Sequence, residues 1–345
     1  MMDSVLKEDL QYIANYNLPY KELKGSTVLV TGATGLIGVS LIRAMLTIGN
    51  INVIAFVRDK EKAKKIYGDF SNTRLNFYVA DIVEEIKLNE PVDYIFHCAS
   101  VTASRIMIEK PVETLMTSVE GTKNVLEFAR KQKCKSVVYI SSMEVYGAFD
   151  ESVEVTEKDL GYIDILKIRS NYPESKRLCE NMCVAYNAEY DVPVKIARLA
   201  QTFGAGILPW ENRVFAQFAR SALYEKDIVL HTKGLSEGNY CYTRDCVTGL
   251  LTILLKGMNA EAYNVSNPEA HTTIAEMAKM VCKKFTNGKA KVIFDIPKED
   301  TFGYAADTKM KLSSDKLQAL GWKPEVGLEE AYRRLIMSME NCDND

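Results

Sequence analysis

Histidine is scarce in this chain, with three in 345 residues, and the eight cysteines include no C-x-x-C pair. The nearest two, Cys179 and Cys183, are four positions apart. That excludes the usual Cys/His zinc patterns and a secreted disulfide framework, so no metal is expected and the thiols should be reduced, as in a cytoplasmic protein. No run of about 18 apolar residues occurs, which excludes a membrane-spanning helix. The opening stretch MMDSVLKEDLQYIANYN has no apolar block of the secretion-signal kind. An excess of charge is missing too. Lys and Arg number 43 against 46 Asp and Glu, so neither nucleic acid nor a membrane surface is an expected partner. Repeats and low-complexity segments are absent.

What the chain does have is apolar content, 47% by count, enough for a sizeable core, and it is distributed in alternating patterns. Residues 1–24 read as a short helical arm ending near Pro19. STVLVTG, NVIAFVR, RLNFYVAD, DYIFHCAS, SVVYIS and VPVKIARLA read as six strands. Helical stretches lie between them, among them PVETLMTSVEGTKNVLEFARKQ, with Leu115, Val119, Thr122, Leu126 and Ala129 along one stripe. Strands alternating with helices predict an α/β fold with a parallel sheet covered on both faces. After about residue 203 the pattern loosens and Gly, Pro and Trp appear. We therefore expect a nucleotide-binding domain over 25–203. A smaller, discontinuous domain should occupy most of 204–345, with some segments returning to the first.

The first strand runs into TGATGLIG and then a helix. Gly32, Gly35 and Gly38 give G-x-x-G-x-x-G, a spacing that lets backbone approach a pyrophosphate at a helix N-terminus. Thr34, Leu36 and Ile37 complete this candidate cofactor loop. An NAD site usually places an acid at the end of the second strand. Here that position is Val57, followed by Arg58, which suits a 2′-phosphate and can stack on adenine. NADP is the expected cofactor, with NAD the alternative if Asp59 serves the ribose after a shift of register. Asp81 and Ile82, after the third strand, are candidates for the adenine edge.

Tyr172 and Lys176 share a helix face at i, i+4. A lysine ammonium beside a phenol would favour phenolate, and such a tyrosine can take the proton of an alcohol. By itself Y-x-x-x-K is common. Here it follows the glycine loop and a serine, Ser142, at the end of the fifth strand.

TGATGLIG, HCAS, SVEGTKNVLE, YISSMEVYG, YPESK, ARLAQTFG and LGWKP occur in that order along nearly the whole chain. In this the sequence resembles the extended short-chain dehydrogenases/reductases of the NAD(P)-dependent nucleotide-sugar epimerase/dehydratase family. The resemblance implies a Rossmann doubly wound parallel sheet with a smaller C-terminal substrate domain, and a nucleotide-sugar substrate. It also implies a homodimer through the helix carrying Tyr172, with Ser142, Tyr172 and Lys176 as the catalytic triad. Tyr172 and Lys176 would also touch the cofactor, as would Ala99 in the HCAS segment. NRVFAQFARSAL with YCYTRDC is similar to the substrate domain of UDP-glucuronate decarboxylases and sugar 4,6-dehydratases.

Departures from the pattern narrow the chemistry. Where the dehydratases carry Asp-Glu after the catalytic hydroxyl, this chain has Met143 and Glu144. A thioether cannot deliver a proton to a leaving hydroxyl, so dehydration is not expected. Glu144 would face the sugar as a further catalytic candidate, and Met143 would pack against the sugar or the nicotinamide. Gly238 stands where the family often has a diphosphate-binding arginine. Arg213 is the candidate to replace it, with Lys233 second. Gln201 and Ser118 stand where asparagines are usual, and Gln201 keeps an amide for the substrate. The leading expectation is an epimerase-type reaction through a 4-keto intermediate. Decarboxylation of a UDP-glucuronate-like substrate and NADPH-dependent reduction of a keto sugar nucleotide are the alternatives. A dinucleotide-binding protein without catalysis fits poorly with an intact Ser/Tyr/Lys set.

Overall fold

The computed structural model describes residues 3–68, 74–149, 151–208, 211–297 and 307–343. The chain begins with α1 (Ser4–Asn15), β1 (Thr27–Thr31), α2 (Leu36–Ile48), β2 (Asn52–Val57), α3 (Lys60–Tyr67), β3 (Leu75–Val79) and β4 (Tyr94–His97). It continues through α4 (Ser104–Glu109), α5 (Pro111–Gln132), β5 (Ser136–Ser142), β6 (Val153–Val155), α6 (Asn171–Tyr190), β7 (Val194–Leu199) and β8 (Gln201–Phe203). Then come α7 (Val214–Leu223), β9 (Ile228–Leu230), β10 (Glu237–Tyr242), α8 (Thr243–Lys256), β11 (Ala262–Val265) and β12 (His271–Thr273). The last elements are α9 (Ile274–Phe285), β13 (Val292–Phe294), β14 (Met310–Leu312), α10 (Asp315–Gln318) and α11 (Leu328–Asp343).

Seven strands form one sheet in the order β3-β2-β1-β4-β5-β7-β11, and every pairing in it is parallel. Alternation along each strand explains why both faces are covered. Val28, Val30, Val53, Ala55, Val138 and Ile140 enter one apolar cluster with α2 and α8. Their neighbours Leu29, Ile54, Phe56, Val137 and Tyr139 enter another with α5 and α6. The crossovers reverse between β1 and β4, so the crevice beyond the carboxyl ends of these strands is where a ligand is expected to bind. Six of the seven strands are those read from the apolar runs. The seventh, β11, comes from the C-terminal part of the chain and pairs with β7.

A third cluster, built from Phe203, Phe215, Phe218, Tyr240, Tyr332 and Leu335 among others, forms the core of the region containing α7, α9 and α11. Small sheets surround it, of which β12-β10-β8 is three-stranded and β14-β6 links residues 153–155 to residues 310–312. α9 starts with a reciprocal cap in which Thr273 and Glu276 bond each other's backbone.

Helix α1 turns Val5, Leu10 and Ile13 inward and packs against α2, α8 and α11. Its buried Asp9 accepts a hydrogen bond from the Tyr242 hydroxyl at 2.6 Å and another from Arg334 at 2.8 Å. Burial raises the Asp9 carboxyl to about 6, against the pull of Tyr242 and Arg334. Asn341 on α11 donates to Asp3 at 2.8 Å. No helix among the described residues is long and apolar enough to cross a membrane.

Candidate active site

All the candidate residues of the large sheet lie at its carboxyl edge, because they sit at or just after strands that run the same way. The glycine loop follows β1, Arg58 follows β2, Asp81 and Ile82 follow β3, and Ala99 follows β4. Ser142 ends β5 and Gln201 lies just beyond β7.

Two glycines of the loop are there for space. Gly32 has φ +63°, and a Cβ on it would stand 2.7 Å from the Ala99 nitrogen and the Cys98 carbonyl carbon. A Cβ on Gly38 would run into the Gly32 carbonyl. The loop is thus pressed against the end of β4 and against its own helix. Thr31 fixes the same junction. Its hydroxyl accepts from the Ala99 N–H at 3.1 Å and meets His97 Nδ1 at 2.8 Å. His97 reaches Thr122 of α5 with its other nitrogen at 3.2 Å. Burial, with Lys176 nearby, lowers the His97 imidazole to about 3, so it is neutral. Gly35 caps α2 without a side-chain bond, leaving the first N–H groups of that helix available to an anion. A cradle closed to side chains and opening onto an uncapped helix N-terminus fits a dinucleotide pyrophosphate.

Arg58 is exposed, whereas Asp59 is engaged as the N-cap of α3, accepting from Lys62 N–H at 2.9 Å. Asp81 Oδ1 bonds Val83 N–H at 3.2 Å. Ile82 is buried, packs on Gly121, and its carbonyl accepts from Asn124 at 3.0 Å.

At the end of β5 the chain enters a 3-10 turn, Met143–Tyr146, which Ser142 caps by accepting from Glu144 N–H at 3.2 Å. The Ser142 hydroxyl lies near enough to the Tyr172 phenol to favour its ionised form. Tyr172 and Lys176 lie one turn apart on α6, both buried. The electrostatics differ from the expected ones. Burial and then the Glu144 carboxylate push the Tyr172 phenol above its ordinary value, outweighing the Ser142 hydroxyl and the charges of Arg169 and Arg213. Lys176 does not overcome this. Its ammonium stands 5.8 Å from the ring centre and donates to the Ile140 carbonyl at 2.8 Å. Burial lowers Lys176 itself to about 8. The i, i+4 spacing brings the two side chains together, but a fully enclosed phenolate loses its hydration, and that effect is larger.

Two groups that carry no motif complete the site. Arg169 donates to Glu144 Oε1 at 3.1 Å, and its guanidinium lies 5.7 Å from the Tyr172 ring centre. Behind the triad, Ser141 donates to Glu180 at 2.5 Å, and Glu180 is held by Arg198 of β7 through contacts of 2.7 and 3.0 Å. Arg198 also donates to the Tyr146 hydroxyl at 3.1 Å. Ser141 adjoins Ser142 and Glu180 lies one turn beyond Lys176, so this buried network fixes both ends of the triad.

The remaining candidates divide. Met143 is only 4% exposed and packs with Val145, Tyr146, Val155, Ala200, Met310 and Leu312. It is used in protein packing, where contact with the sugar or the nicotinamide was expected. Gln201 is exposed at the start of β8. Arg213 is near enough to act on the Tyr172 charge, but it is bidentate with Glu211 at 3.0 and 2.6 Å and lies over the Phe215 ring at 4.9 Å. Lys233 is exposed. Ser118 is turned inward, its hydroxyl on the Thr114 carbonyl and its own carbonyl accepting from Cys179 of α6. At Gly238 a Cβ would meet nothing within 4 Å, so the place of the family's arginine is open. Among the described residues no group of three His, Cys, Asp or Glu side chains could hold a metal ion.

The family model described as "NAD dependent epimerase/dehydratase family" matches residues 28–266. UDP-glucuronic acid decarboxylase 1 of Danio rerio is 29% identical over 316 residues, covering 90% of this chain and 71% of the relative. Among solved structures, the UDP-glucose 4-epimerase of Thermotoga maritima superposes with a TM-score of 0.78 at 22% identity, over 92% of this chain and 99% of that one. The UDP-glucuronic acid 4-epimerase of Bacillus cereus, solved with UDP-glucuronic acid and NAD, gives 0.77 at 22% identity, over 92% and 99%. At these identities the structural likeness is one of fold.

Proposed function

From the premise that this chain belongs to the NAD-dependent epimerase/dehydratase family, we propose that it oxidises a secondary alcohol of a nucleotide-linked sugar, at C4, and then returns the hydride. The observation that carries this reading is the placing of Ser142 at the end of β5 beside Tyr172, one helical turn from Lys176 on α6. The three lie at the same sheet edge as the glycine loop. Tyr172 takes the hydroxyl proton, Ser142 orients the same oxygen, and Lys176 places a positive charge beneath the site. The cofactor, when bound, accepts and gives back the hydride. Gly32, Gly35, Gly38 and the N-terminus of α2 would hold its pyrophosphate, with Thr34, Leu36, Ile37 and Ala99 around it and Asp81 and Ile82 towards the adenine. Because Asp59 is committed to the α3 cap, Arg58 is the charged group left at the end of β2 to meet the adenosine ribose. That supports NADP, while the NAD in the Bacillus cereus neighbour's structure favours the alternative.

Return of the hydride to the opposite face makes the net reaction an epimerisation, which needs only the triad and the cofactor. A second reading is decarboxylation of UDP-glucuronate. It is favoured by Glu144 beside the triad and by a run of relatives named UDP-glucuronic acid decarboxylases. Arg213, Gln201 and the space at Gly238 would meet the nucleotide-sugar. A homodimer is supported by exposed Val112 and Met116 on α5 and Leu178 and Val184 on α6, and the composition fits a cytoplasmic enzyme. The test is incubation with UDP-glucuronate, UDP-glucose and dTDP-glucose, with product mass and reduced-cofactor absorbance read together. Unchanged mass with a new sugar configuration establishes the epimerase, and loss of carbon dioxide the decarboxylase. Gain of two hydrogens on a keto substrate would make it a reductase. Efficient loss of water would refute the argument from Met143.

A further inference from the structure

Two charged side chains beside Tyr172 are paired with each other. Glu144 stands on the turn after β5, and Arg169 on the 3-10 turn Ile168–Ser170 that leads into α6. Their contact is 3.1 Å, with 21% of the Arg169 side chain and 36% of the Glu144 side chain exposed. A carboxylate next to a buried phenol opposes formation of phenolate, and a guanidinium favours it. Each acts on Tyr172 in that sense.

The other groups facing the phenol are already committed or neutral. Lys176 donates to the Ile140 carbonyl, Arg213 is bidentate with Glu211, Ser142 is a hydroxyl, and Tyr139 of β5 is a neutral phenol. Glu144 is the carboxylate that acts on Tyr172, and Arg169 is its partner.

We propose that Arg169 is a positioning residue of this reaction: it holds the Glu144 carboxylate in an ion pair beside Tyr172, so that the guanidinium offsets part of the carboxylate's opposition to loss of the phenolic proton. The inference rests on Tyr172 being the proton carrier. It assigns a role to a residue three positions before the tyrosine, outside the triad and the glycine loop.

The test uses full-length enzyme loaded with cofactor and the fastest of UDP-glucuronate, UDP-glucose and dTDP-glucose. Hydride transfer is read in a single turnover as reduced-cofactor absorbance, between about pH 6 and pH 10, where a phenol held above its ordinary value keeps the rate rising with pH. Arg169→Gln should move the acid limb of the rate profile upward by about one pH unit or more, or about tenfold in rate on that limb. Glu144→Gln should move the limb downward, the double variant should return it close to wild type, and Arg169→Lys should keep it there. Equal slowing in Arg169→Gln and the double variant, with the limb unmoved, would mean a purely structural role and overturn the proposal. Tyr172→Phe is run alongside. If it retains hydride transfer, the functional reading fails and this inference with it. If it is inactive and the Arg169→Gln limb is unmoved, this inference alone fails.

Discussion

Acidification from pH 7 to pH 5 puts a number on the junction beneath the glycine loop. His97 is enclosed between Thr31 and Thr122 and titrates at about 3 in the folded protein, against 6.5 for the free side chain. Below pH 6.5 the unfolded chain takes a proton that the native state refuses. Stability from this group is therefore fully present above 6.5 and is lost as pH falls towards the folded value. Each pH unit in that window costs about 1.4 kcal/mol, so at pH 5 the loss is about 2 kcal/mol. Urea unfolding of wild type and His97→Asn at both pH values isolates the effect, since the other titrating groups are common to both proteins. The variant starts less stable, but wild type should lose about 2 kcal/mol more than the variant between pH 7 and pH 5. Equal losses would show that His97 takes up its proton in the native state, and the account of a dry, neutral imidazole would be wrong.

Tyr172→Phe should bind cofactor normally and lose turnover by roughly 10²–10⁴-fold, the scale of general acid–base help. Steady-state rates set against cofactor titration check this, and near-normal turnover would remove Tyr172 from its role. Arg58→Ala should weaken NADP by about tenfold or more, as for a charge-assisted hydrogen bond, and leave NAD nearly unchanged. Calorimetric titration decides it, and a wild-type preference for NAD would end the NADP reading. Gly32→Ala should cost about 1–2 kcal/mol from backbone conformation alone. The clash with Ala99 and Cys98 adds to that, so both Tm and dinucleotide affinity should fall. An unchanged Tm would mean the loop is not closed against β4.

The parts of the molecule legible in the sequence were those governed by local pattern. Six strands of the main sheet announce themselves as apolar runs, and the glycine loop by its spacing between strand and helix. The strand β11 does not, because AYNV is four residues long and takes its identity from pairing with β7. Tyr172 and Lys176 can be found by an i, i+4 rule, but the charge state of the phenol depends on burial created by distant segments. Met143, beside Ser142, was expected to pack against the sugar or the nicotinamide. Met310 and Leu312, far along the chain, close over it through the pairing of β14 with β6. Arg169 and the Glu180–Arg198 pair have no motif at all, since an arginine three residues before a tyrosine is chemically meaningful only once the two turns meet.

Helix α1 is the first described element to leave the ribosome and α11 the last, yet Arg334 of α11 supplies the cation for the buried Asp9 of α1. At about ten residues per second, about half a minute separates their synthesis. Throughout that interval α1 can dock only on α2 and, later, α8, with its carboxylate lacking its final partner. Correct closure of the C-terminal region is therefore a checkpoint on α1. A fusion or lesion that delays α11 should be felt first as protease sensitivity in α1, more than 300 residues away in sequence.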